Sequence, residues 1–217
     1  ERKRRELQLA HRASHDSLTG LPNSAELRSR LTARLCSRPQ VARSGSEGAA
    51  PPPPTGYTTP TFDHHVHMVA PASDEPGADN GVKGLAVLFC DLDGFKSIND
   101  RFGHNAGDTI LIEVARRLTN GVRDGDTVAR LGSDEFVVLA DGLGPADAQD
   151  LAARLRNAII PPIRVEGRVV RVGASFGIGW AHCGMTAEEV LKSADQRMYV
   201  EKRSARRRQN RPTGATG

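Results

Sequence analysis

Two blocks of the sequence combine side chains that together suit chemistry on a phosphorylated molecule that carries a base. Residues 91–108 begin with two carboxylates, Asp91 and Asp93, which are followed by Lys96. Residues 129–136 read Ala-Arg-Leu-Gly-Ser-Asp-Glu-Phe. Carboxylates are the ligands that Mg²⁺ prefers, with water and substrate phosphates completing its shell. Lysine and arginine bind phosphate, and amide and carboxylate side chains can read a base edge. The combination indicates nucleotide chemistry.

The two blocks must lie side by side for this chemistry to occur. Asp91 and Asp93 end a continuous apolar run, a strand expected to be buried on both faces, and residues two apart on a strand face the same way. Two short strands around Gly132-Ser133-Asp134 predict a hairpin turn. An isolated Asp-x-Asp more simply ends a strand and begins a turn. Because the hairpin brings Asp134 and Glu135 alongside, a metal site is favoured here.

The elements that must position these residues alternate along the chain and predict an α/β or α+β domain with a central sheet. Helices are predicted from Pro22-Asn23-Ser24, over 107–122 and 146–159, and after a Thr186 cap. Strands are predicted at 84–92, 127–131, 135–140, 163–165, 169–172 and 174–181. Glycines in the last of these strands predict a close approach of another backbone.

Both ends and the middle of the chain differ from this body. Residues 1–15 have helical spacing and predict the end of a signalling helix, so we infer an excerpt of a longer protein. The main domain is predicted over 16–206, interrupted by a disordered insert at 37–82, which is rich in proline and glycine. His64, His65 and His67 in the insert are metal-ligand types, but without a supporting fold we interpret them as solvated linker. Residues 207–217 predict a basic, flexible tail.

Composition restricts the class of protein. The chain has 217 residues, 38% of them hydrophobic and 26% charged, with a net charge of +4. No apolar run approaches the roughly 18 residues of a membrane span. Three scattered cysteines, Cys36, Cys90 and Cys183, favour a reducing, cytoplasmic setting, with any membrane anchor upstream of this chain. The arginine-rich ends are interpreted as solvated helix ends, and no nucleic-acid partner is expected.

Five motifs resemble, in order and in spacing, those of the GGDEF domain, the catalytic module of diguanylate cyclases. They are Asp16-Ser-Leu-Thr-Gly-Leu-Pro-Asn23, the 91–108 block, Gly132-Ser133-Asp134-Glu135-Phe136, Ala174-Ser-Phe-Gly-Ile-Gly179, and Ala194-Asp195 with Tyr199 and Lys202. The resemblance covers residues 14 to about 206 apart from the insert. One short motif would be weak evidence, whereas five in order are strong evidence.

The resemblance implies a fold, an activity and an assembly. The fold is the palm-like fold of nucleotidyl cyclases, with a central, mainly antiparallel five-stranded sheet flanked by helices. The activity is condensation of two GTP molecules into cyclic di-GMP with release of pyrophosphate, dependent on Mg²⁺ or Mn²⁺. A homodimer is implied because one domain binds one GTP and the product contains two. Cyclic di-GMP would be both product and inhibitor.

The resemblance also implies roles at the acidic site. The metal is held by Asp91, the Leu92 carbonyl and Asp134. Asp134 takes the proton of the attacking 3′-hydroxyl, and Glu135 and Lys96 complete the catalytic set.

Further roles concern the substrate. The triphosphate is bound by Lys96, Arg130, Lys202 and Arg206, although an exposed basic helix end is an equal alternative for the last two. Asn99 and Asp108 read guanine, because a carboxylate can accept hydrogen bonds from guanine N1–H and N2–H₂. His104 belongs to the same substrate-binding block and has a positional role. An N-cap or turn role is the alternative for Asn99 and Asp108.

Arg123-Asp124-Gly125-Asp126 resembles the inhibitory RxxD site at which cyclic di-GMP binds, with Arg123 and Asp126 as its allosteric residues. The local alternative is a turn between a helix and a strand, and the two interpretations are compatible.

The signature departs from the family at Ser133, where the second glycine is expected. If that position needs a positive φ, serine would cost about 1 kcal/mol or more. The two alternatives are that the substitution slows catalysis or that it is tolerated. Three hypotheses follow. The chain is an active cyclase, a weak domain that binds GTP or cyclic di-GMP as a regulatory module, or an interaction domain that acts through its insert and basic ends.

Overall fold

The structure is a computed structural model that describes residues 11, 13–37, 83–182 and 184–209. In chain order these contain α1 (Ser24–Cys36), β1 (Gly84–Asp93), α2 (Phe95–Phe102), α3 (His104–Asn120), β2 (Thr127–Arg130), β3 (Glu135–Leu143), α4 (Pro145–Ile159), β4 (Ile163–Val165), β5 (Arg168–Val170), β6 (Gly173–Ala181) and α5 (Ala187–Gln209). Most of residues 1–15, the 38–82 part of the predicted insert with its histidines, and the end of the tail lie outside the described residues.

The central sheet has four strands in the order β2-β3-β1-β6, and each neighbouring pair is antiparallel. The predicted mixed fold with a mainly antiparallel sheet is therefore confirmed. The expected count of five strands in that sheet is wrong, because β4 and β5 pair with each other as a separate hairpin. Its two-residue turn, Glu166 with φ 49° and Gly167 with φ 76°, has the left-handed angles of a tight hairpin.

Two hydrophobic cores lie on opposite faces of the sheet, because the side chains of β1 alternate between them. Ala86, Leu88, Cys90 and Leu92 pack into the core that contains the apolar sides of α3 and α4. Leu85, Val87 and Phe89 pack into the core that contains α1 and α5. Asp91 therefore emerges on the α1 and α5 side at the end of a strand that is buried on both faces, as predicted.

The backbone of α5 lies directly against β6. A Cβ atom at Gly177 would stand 2.1 Å from the Met198 nitrogen, and one at Gly179 would stand 3.0 Å from the Val190 carbonyl oxygen. The close approach predicted from these glycines is thus confirmed, and α5 is held at fixed depth on the sheet.

Element boundaries differ modestly from the prediction. The helix expected from Gly107 begins at His104, because Gly103, with φ 88°, separates α2 from α3. The Asn23 side chain accepts from the Glu26 amide at 3.0 Å and caps α1 at the predicted helix start. The Thr186 hydroxyl accepts from the Glu189 amide at 3.3 Å and caps α5, as predicted. In the described part of the chain, no helix is long and apolar enough to cross a membrane.

Candidate active site

The end of β1 and the signature turn are joined at the backbone. The Leu92 amide donates a hydrogen bond of 3.1 Å to the Asp134 carbonyl, and Asp91 lies opposite Glu135 in the register of β1 and β3. Cross-strand partners share a face of the sheet, so the Asp91 and Glu135 side chains project to the same side. Three of the predicted metal and catalytic positions are therefore assembled with Asp134 at one end of the sheet.

The signature turn needs its first glycine for space. A Cβ atom at Gly132 would stand 2.4 Å from Oε2 of Glu135, whose carboxylate folds over this position. Ser133, in contrast, is exposed and lies outside the left-handed region of φ. The strain expected at Ser133 is therefore absent, because serine meets no steric penalty at an ordinary negative φ. The Ser133 hydroxyl donates to Oδ1 of Asp134 at 3.2 Å.

Arg130 fastens the turn to the N-terminal motif. Its Nη1 donates to both Asp16 oxygens at 3.2 and 3.0 Å, and its Nη2 donates to the Ser133 carbonyl at 2.7 Å. Burial opposes ionisation of Asp16, but hydrogen bonds from Thr19 and the Arg130 charge lower its pKa. These hydrogen bonds use at most three of the five guanidinium N–H groups, and the Nε–H group is buried without a partner among the described residues. The contact of Arg130 with triphosphate stays a prediction.

Lys202 reaches the acidic cluster from α5 and forms an ion pair with Oδ1 of Asp91. Both side chains are largely buried, with exposed fractions of 17% and 12%. Asp93, the second carboxylate of the strand end, accepts a hydrogen bond of 2.9 Å from the Ser175 hydroxyl. Asp93 is thus bound by Ser175, and Asp91 is the carboxylate that pairs with Lys202.

The electrostatics of the cluster favour a cation. Burial raises the pKa of Asp91, opposed by Lys202, and the Asp134 and Asp93 charges raise it further. Burial likewise raises the pKa of Glu135, followed by the charges of Asp91, Asp134 and Asp195. A positive charge between these carboxylates would relieve both effects.

The donor set is compatible with Mg²⁺. The described residues contain no group of three or more His, Cys, Asp or Glu side chains arranged to hold a metal ion. The predicted ligands are instead two carboxylates, Asp91 and Asp134, with the Leu92 carbonyl. All three are hard oxygen donors, and Mg²⁺ commonly binds one or two carboxylates while water and substrate phosphates supply the rest. The residues present therefore fit this ion.

A buried amide oxygen without a partner lies at the junction of α2 and α3. Oδ1 of Asn99 forms no hydrogen bond with the described residues, and a Cβ atom at Gly107 would stand 1.9 Å from it. A buried unsatisfied oxygen costs about 1–3 kcal/mol, so this acceptor is a polar group for which the described residues supply no donor. His104 and Asp108 are exposed in the first turns of α3.

The other predicted phosphate-binding cations are exposed. Lys96 is the second residue of α2, a helix that begins directly after Gly94, whose φ is 71°. Arg206 lies one helical turn beyond Lys202 on α5. Neither forms a hydrogen bond or ion pair within the described structure. Both side chains are thus available to a ligand.

The RxxD segment is a closed turn. Oδ2 of Asp126 accepts from the Arg123 amide at 3.1 Å, and the Asp126 amide donates to the Arg123 carbonyl at 3.0 Å. The Arg123 side chain is exposed. Arg34, which was not predicted as a site residue, donates to the Gly125 carbonyl at 3.0 Å and to the Thr127 hydroxyl at 3.1 Å. A basic residue in the last turn of a helix is common, so the sequence around Arg34 does not predict this contact.

A cavity of about 460 Å³ opens beside Glu135 between the signature turn and α5. Phe89, Leu131 and Leu191 form its apolar part, and Arg28 and Lys192 stand among its carboxylates. It lies on the α1 and α5 side of the sheet, the side onto which Asp91 projects.

Comparison with known proteins identifies relatives of the whole domain. A family model described as "Diguanylate cyclase, GGDEF domain" matches residues 77–208. The chain is 38% identical over 201 residues to diguanylate cyclase TpbB of Pseudomonas aeruginosa UCBPP-PA14, covering 91% of this chain and 37% of TpbB. It is 48% identical over 123 residues to the bifunctional diguanylate cyclase/cyclic di-GMP phosphodiesterase MucR of P. aeruginosa, covering 56% of this chain and 18% of MucR.

Solved structures agree. The GGDEF domain of TpbB from P. aeruginosa superposes with a TM-score of 0.64 at 35% identity, covering 88% of this chain and 89% of that one. A sensory box/GGDEF family protein from Caulobacter crescentus gives 0.64 at 34% identity, covering 88% and 99%. The chain spans between 18% and 37% of the length of MucR and TpbB, so it corresponds to one domain of these longer proteins.

Proposed function

The chain belongs to the GGDEF domain family of diguanylate cyclases, and from that premise we propose that it condenses two GTP molecules into cyclic di-GMP. The observation that carries the proposal is the backbone hydrogen bond between Leu92 and Asp134, 3.1 Å long. It holds the carboxylate at the end of β1 and the carboxylate of the turn at one end of the sheet. That is the arrangement a metal-dependent phosphoryl transfer needs.

The reaction is attack of a 3′-hydroxyl on the α-phosphorus of a second GTP. The new bond joins the 3′-oxygen to that phosphorus, the bond from phosphorus to the bridging oxygen breaks, and pyrophosphate leaves. Asp134 accepts the hydroxyl proton, and two such steps close the ring. Mg²⁺ or Mn²⁺, held by Asp91, Asp134 and the Leu92 carbonyl, would neutralise the charge that develops on the phosphates.

Guanine recognition is assigned to the α2–α3 junction. Oδ1 of Asn99, which lacks a partner, would accept from a guanine N–H, and Asp108 offers two more acceptor oxygens. Adenine lacks these donors, so its binding would leave the acceptors unpaired, and ATP would be discriminated against. Lys96, Lys202 and Arg206 supply positive charge for the triphosphate.

Assembly follows from stoichiometry. One domain holds one GTP, and the product contains two, so catalysis needs two domains that face each other with each hydroxyl aimed at the partner's α-phosphate. The helix predicted over residues 1–15 is the device proposed to bring them together. We further propose that the domain works in the cytoplasm.

The second candidate is a regulatory module that binds GTP or cyclic di-GMP without turnover. Two contacts favour it: the Ser133 hydroxyl bonds to Asp134, and Lys202 pairs with Asp91. Both proposed metal carboxylates are therefore engaged within the chain itself.

One experiment separates the two candidates. Purified protein is incubated with GTP and Mg²⁺, and the nucleotides are separated by chromatography. We expect cyclic di-GMP from the wild type and from Asp150→Asn, an exposed carboxylate on α4. Asp134→Asn should give none, because the proton acceptor and a metal ligand are lost. Product from Asp134→Asn would exclude the assigned mechanism, and GTP binding without product in the wild type would favour the regulatory module.

A further inference from the structure

Glu201 on α5 contacts both α4 and β6, the strand at one edge of the central sheet. It forms an ion pair through Oε1 with Arg156 of α4, and its Oε2 accepts a hydrogen bond of 3.2 Å from the Phe176 amide of β6. The Arg156 guanidinium also lies 5.7 Å from the centre of the Phe176 ring. Because β6 is an edge strand of the sheet, its outward amides have no neighbouring strand within the described part of the chain, and Glu201 supplies a partner to one of them.

This contact lies where the packing of α5 ends. Val190, Leu191, Ala194 and Met198 are buried against the sheet. Beyond Met198, Tyr199 and Val200 are 57% and 64% exposed, and none of residues 199–207 is buried. The end of α5 therefore has no apolar anchor, and Glu201 provides its contacts with both β6 and α4.

The next residue along the helix is Lys202, which pairs with Asp91. Adjacent residues of a helix have their Cα positions fixed relative to each other, so the attachment of Glu201 determines where the Lys202 side chain begins. A lysine side chain is flexible and has much rotamer entropy to lose, so a fixed base raises the probability that its ammonium reaches one carboxylate.

We propose that Glu201 is a positioning residue that, through Arg156 and the Phe176 amide, holds Lys202 at the acidic site. In the reaction proposed above, it would thereby set the reach of Lys202 toward the triphosphate of GTP. Among the described residues, the hydrogen bonds and ion pair of Glu201 go to Arg156 and Phe176, and none goes to Asp91, Leu92 or Asp134. Its effect on the reaction is therefore exerted through Lys202. The positioning of Lys202 is independent of the proposed function, and only the effect on GTP binding rests on it.

The chain offers a matched set of variants. Glu201→Ala removes both contacts, whereas Glu201→Gln keeps an acceptor for the Phe176 amide but loses the charge that pairs with Arg156. Arg156→Gln removes the ion pair from the other side. Glu188→Gln is the control, because Glu188 forms an ion pair between α5 and Arg28 of α1 at the opposite end of the helix. Thermal unfolding of each variant checks that it folds.

The first measurement is independent of activity. The protein contains five lysines, so ¹⁵N-lysine labelling gives a simple spectrum, and Lys202→Arg assigns the Lys202 signal. We expect a protected, slowly exchanging Lys202 ammonium in the wild type and in Glu188→Gln. In Glu201→Ala the signal should exchange as fast as that of exposed lysines, with Glu201→Gln between. An unchanged Lys202 signal in Glu201→Ala would overturn the proposal.

The second measurement is kinetic. If Lys202 binds the triphosphate equally in the ground and transition states, its misplacement raises KM while kcat stays constant. We expect the KM for GTP to rise about fivefold or more in Glu201→Ala, with kcat within about twofold of wild type and Glu188→Gln unchanged. Equal KM values across the set would refute the link to substrate. A wild type that makes no cyclic di-GMP but keeps the NMR contrast would refute the cyclase proposal and leave the positioning role intact.

Discussion

Leu92 and Asp134 are tied by a backbone hydrogen bond, so the end of β1 and the signature turn form one rigid unit. The same turn is tied to the N-terminal motif, because Arg130 donates to Asp16 and to the Ser133 carbonyl. Residues far apart in sequence thus share one backbone framework. Substitutions within this framework should separate effects on geometry from effects on chemistry.

Gly132→Ala should reduce activity with little loss of stability. The new Cβ would stand 2.4 Å from Oε2 of Glu135, which is the end of a flexible side chain and can move aside. We expect cyclic di-GMP synthesis to fall about tenfold or more, whereas the free energy of unfolding changes by less than about 1 kcal/mol. Gly144→Ala is the control, because it adds the same methyl group where the nearest atom, Oδ2 of Asp147, would stand 3.8 Å away. A parallel loss of folding in Gly132→Ala would contradict the expectation.

Ser133→Gly and Ser133→Ala should behave alike. Ser133 lies outside the left-handed region, so glycine gains no advantage there, and both variants lose the hydroxyl that bonds to Asp134. Freed from this bond, which is worth about 1 kcal/mol, Asp134 should bind metal up to about fivefold more tightly. Titration of activity against Mn²⁺ measures this, and a rate advantage for glycine alone would show that backbone freedom matters.

Arg123→Ala should relieve product inhibition and leave the initial rate nearly intact. The turn is closed by the Arg123 amide and the Asp126 side chain, so truncation of the exposed guanidinium leaves its backbone hydrogen bonds in place. Arginine can form paired hydrogen bonds to a guanine edge or a phosphate. Calorimetry with cyclic di-GMP should show binding to the wild type and to Asp124→Ala, and loss of binding in Arg123→Ala. Absence of binding to the wild type would reduce RxxD to a turn.

Glu113→Gln should destabilise the domain in a pH-dependent manner. Hydrogen bonds from Arg116, then Arg117, outweigh the opposing effect of burial and lower the pKa of Glu113 from 4.5 to about 2. A lowered carboxyl pKa adds stability above pH 4.5 that is lost as pH falls toward 2. We expect a difference of about 1 kcal/mol near pH 7 in urea unfolding, shrinking below pH 4.5. A difference that stays constant at pH 3.5 would assign the effect to packing.

Activity per protomer should rise with protein concentration, because each GTP must meet a second one held by a facing domain. Rates measured over a hundredfold dilution series, with mass determined by light scattering at the same concentrations, test this. A proven monomer with concentration-independent activity would exclude the facing-domain arrangement.

The sequence predicted the main elements and the assembly of Asp91, Leu92, Asp134 and Glu135, because strand ends and hairpin turns are encoded locally. It predicted the two strands β4 and β5 on either side of a turn, but not that they form a sheet of their own, since this depends on which strand edges are available in three dimensions. It missed Arg34 and Glu201 because their partners lie 91 and 25 residues away, at Gly125 and Phe176. It left the backbone conformation of Ser133 open, because residue type alone does not give φ.

The direct contact of the α5 backbone with Gly177 makes this point the pivot about which the end of the helix can tilt. At Met198 the helix backbone packs directly on the strand, since its nitrogen would lie 2.1 Å from a Cβ atom at Gly177, whereas none of residues 199–207 is buried. Arg206 lies eight residues farther along, roughly 12 Å at 1.5 Å per residue, so a tilt of about 5° would move it by about 1 Å. A force applied to α5 beyond Met198 would therefore change how far Lys202 and Arg206 extend toward the acidic site, while the sheet stays in place.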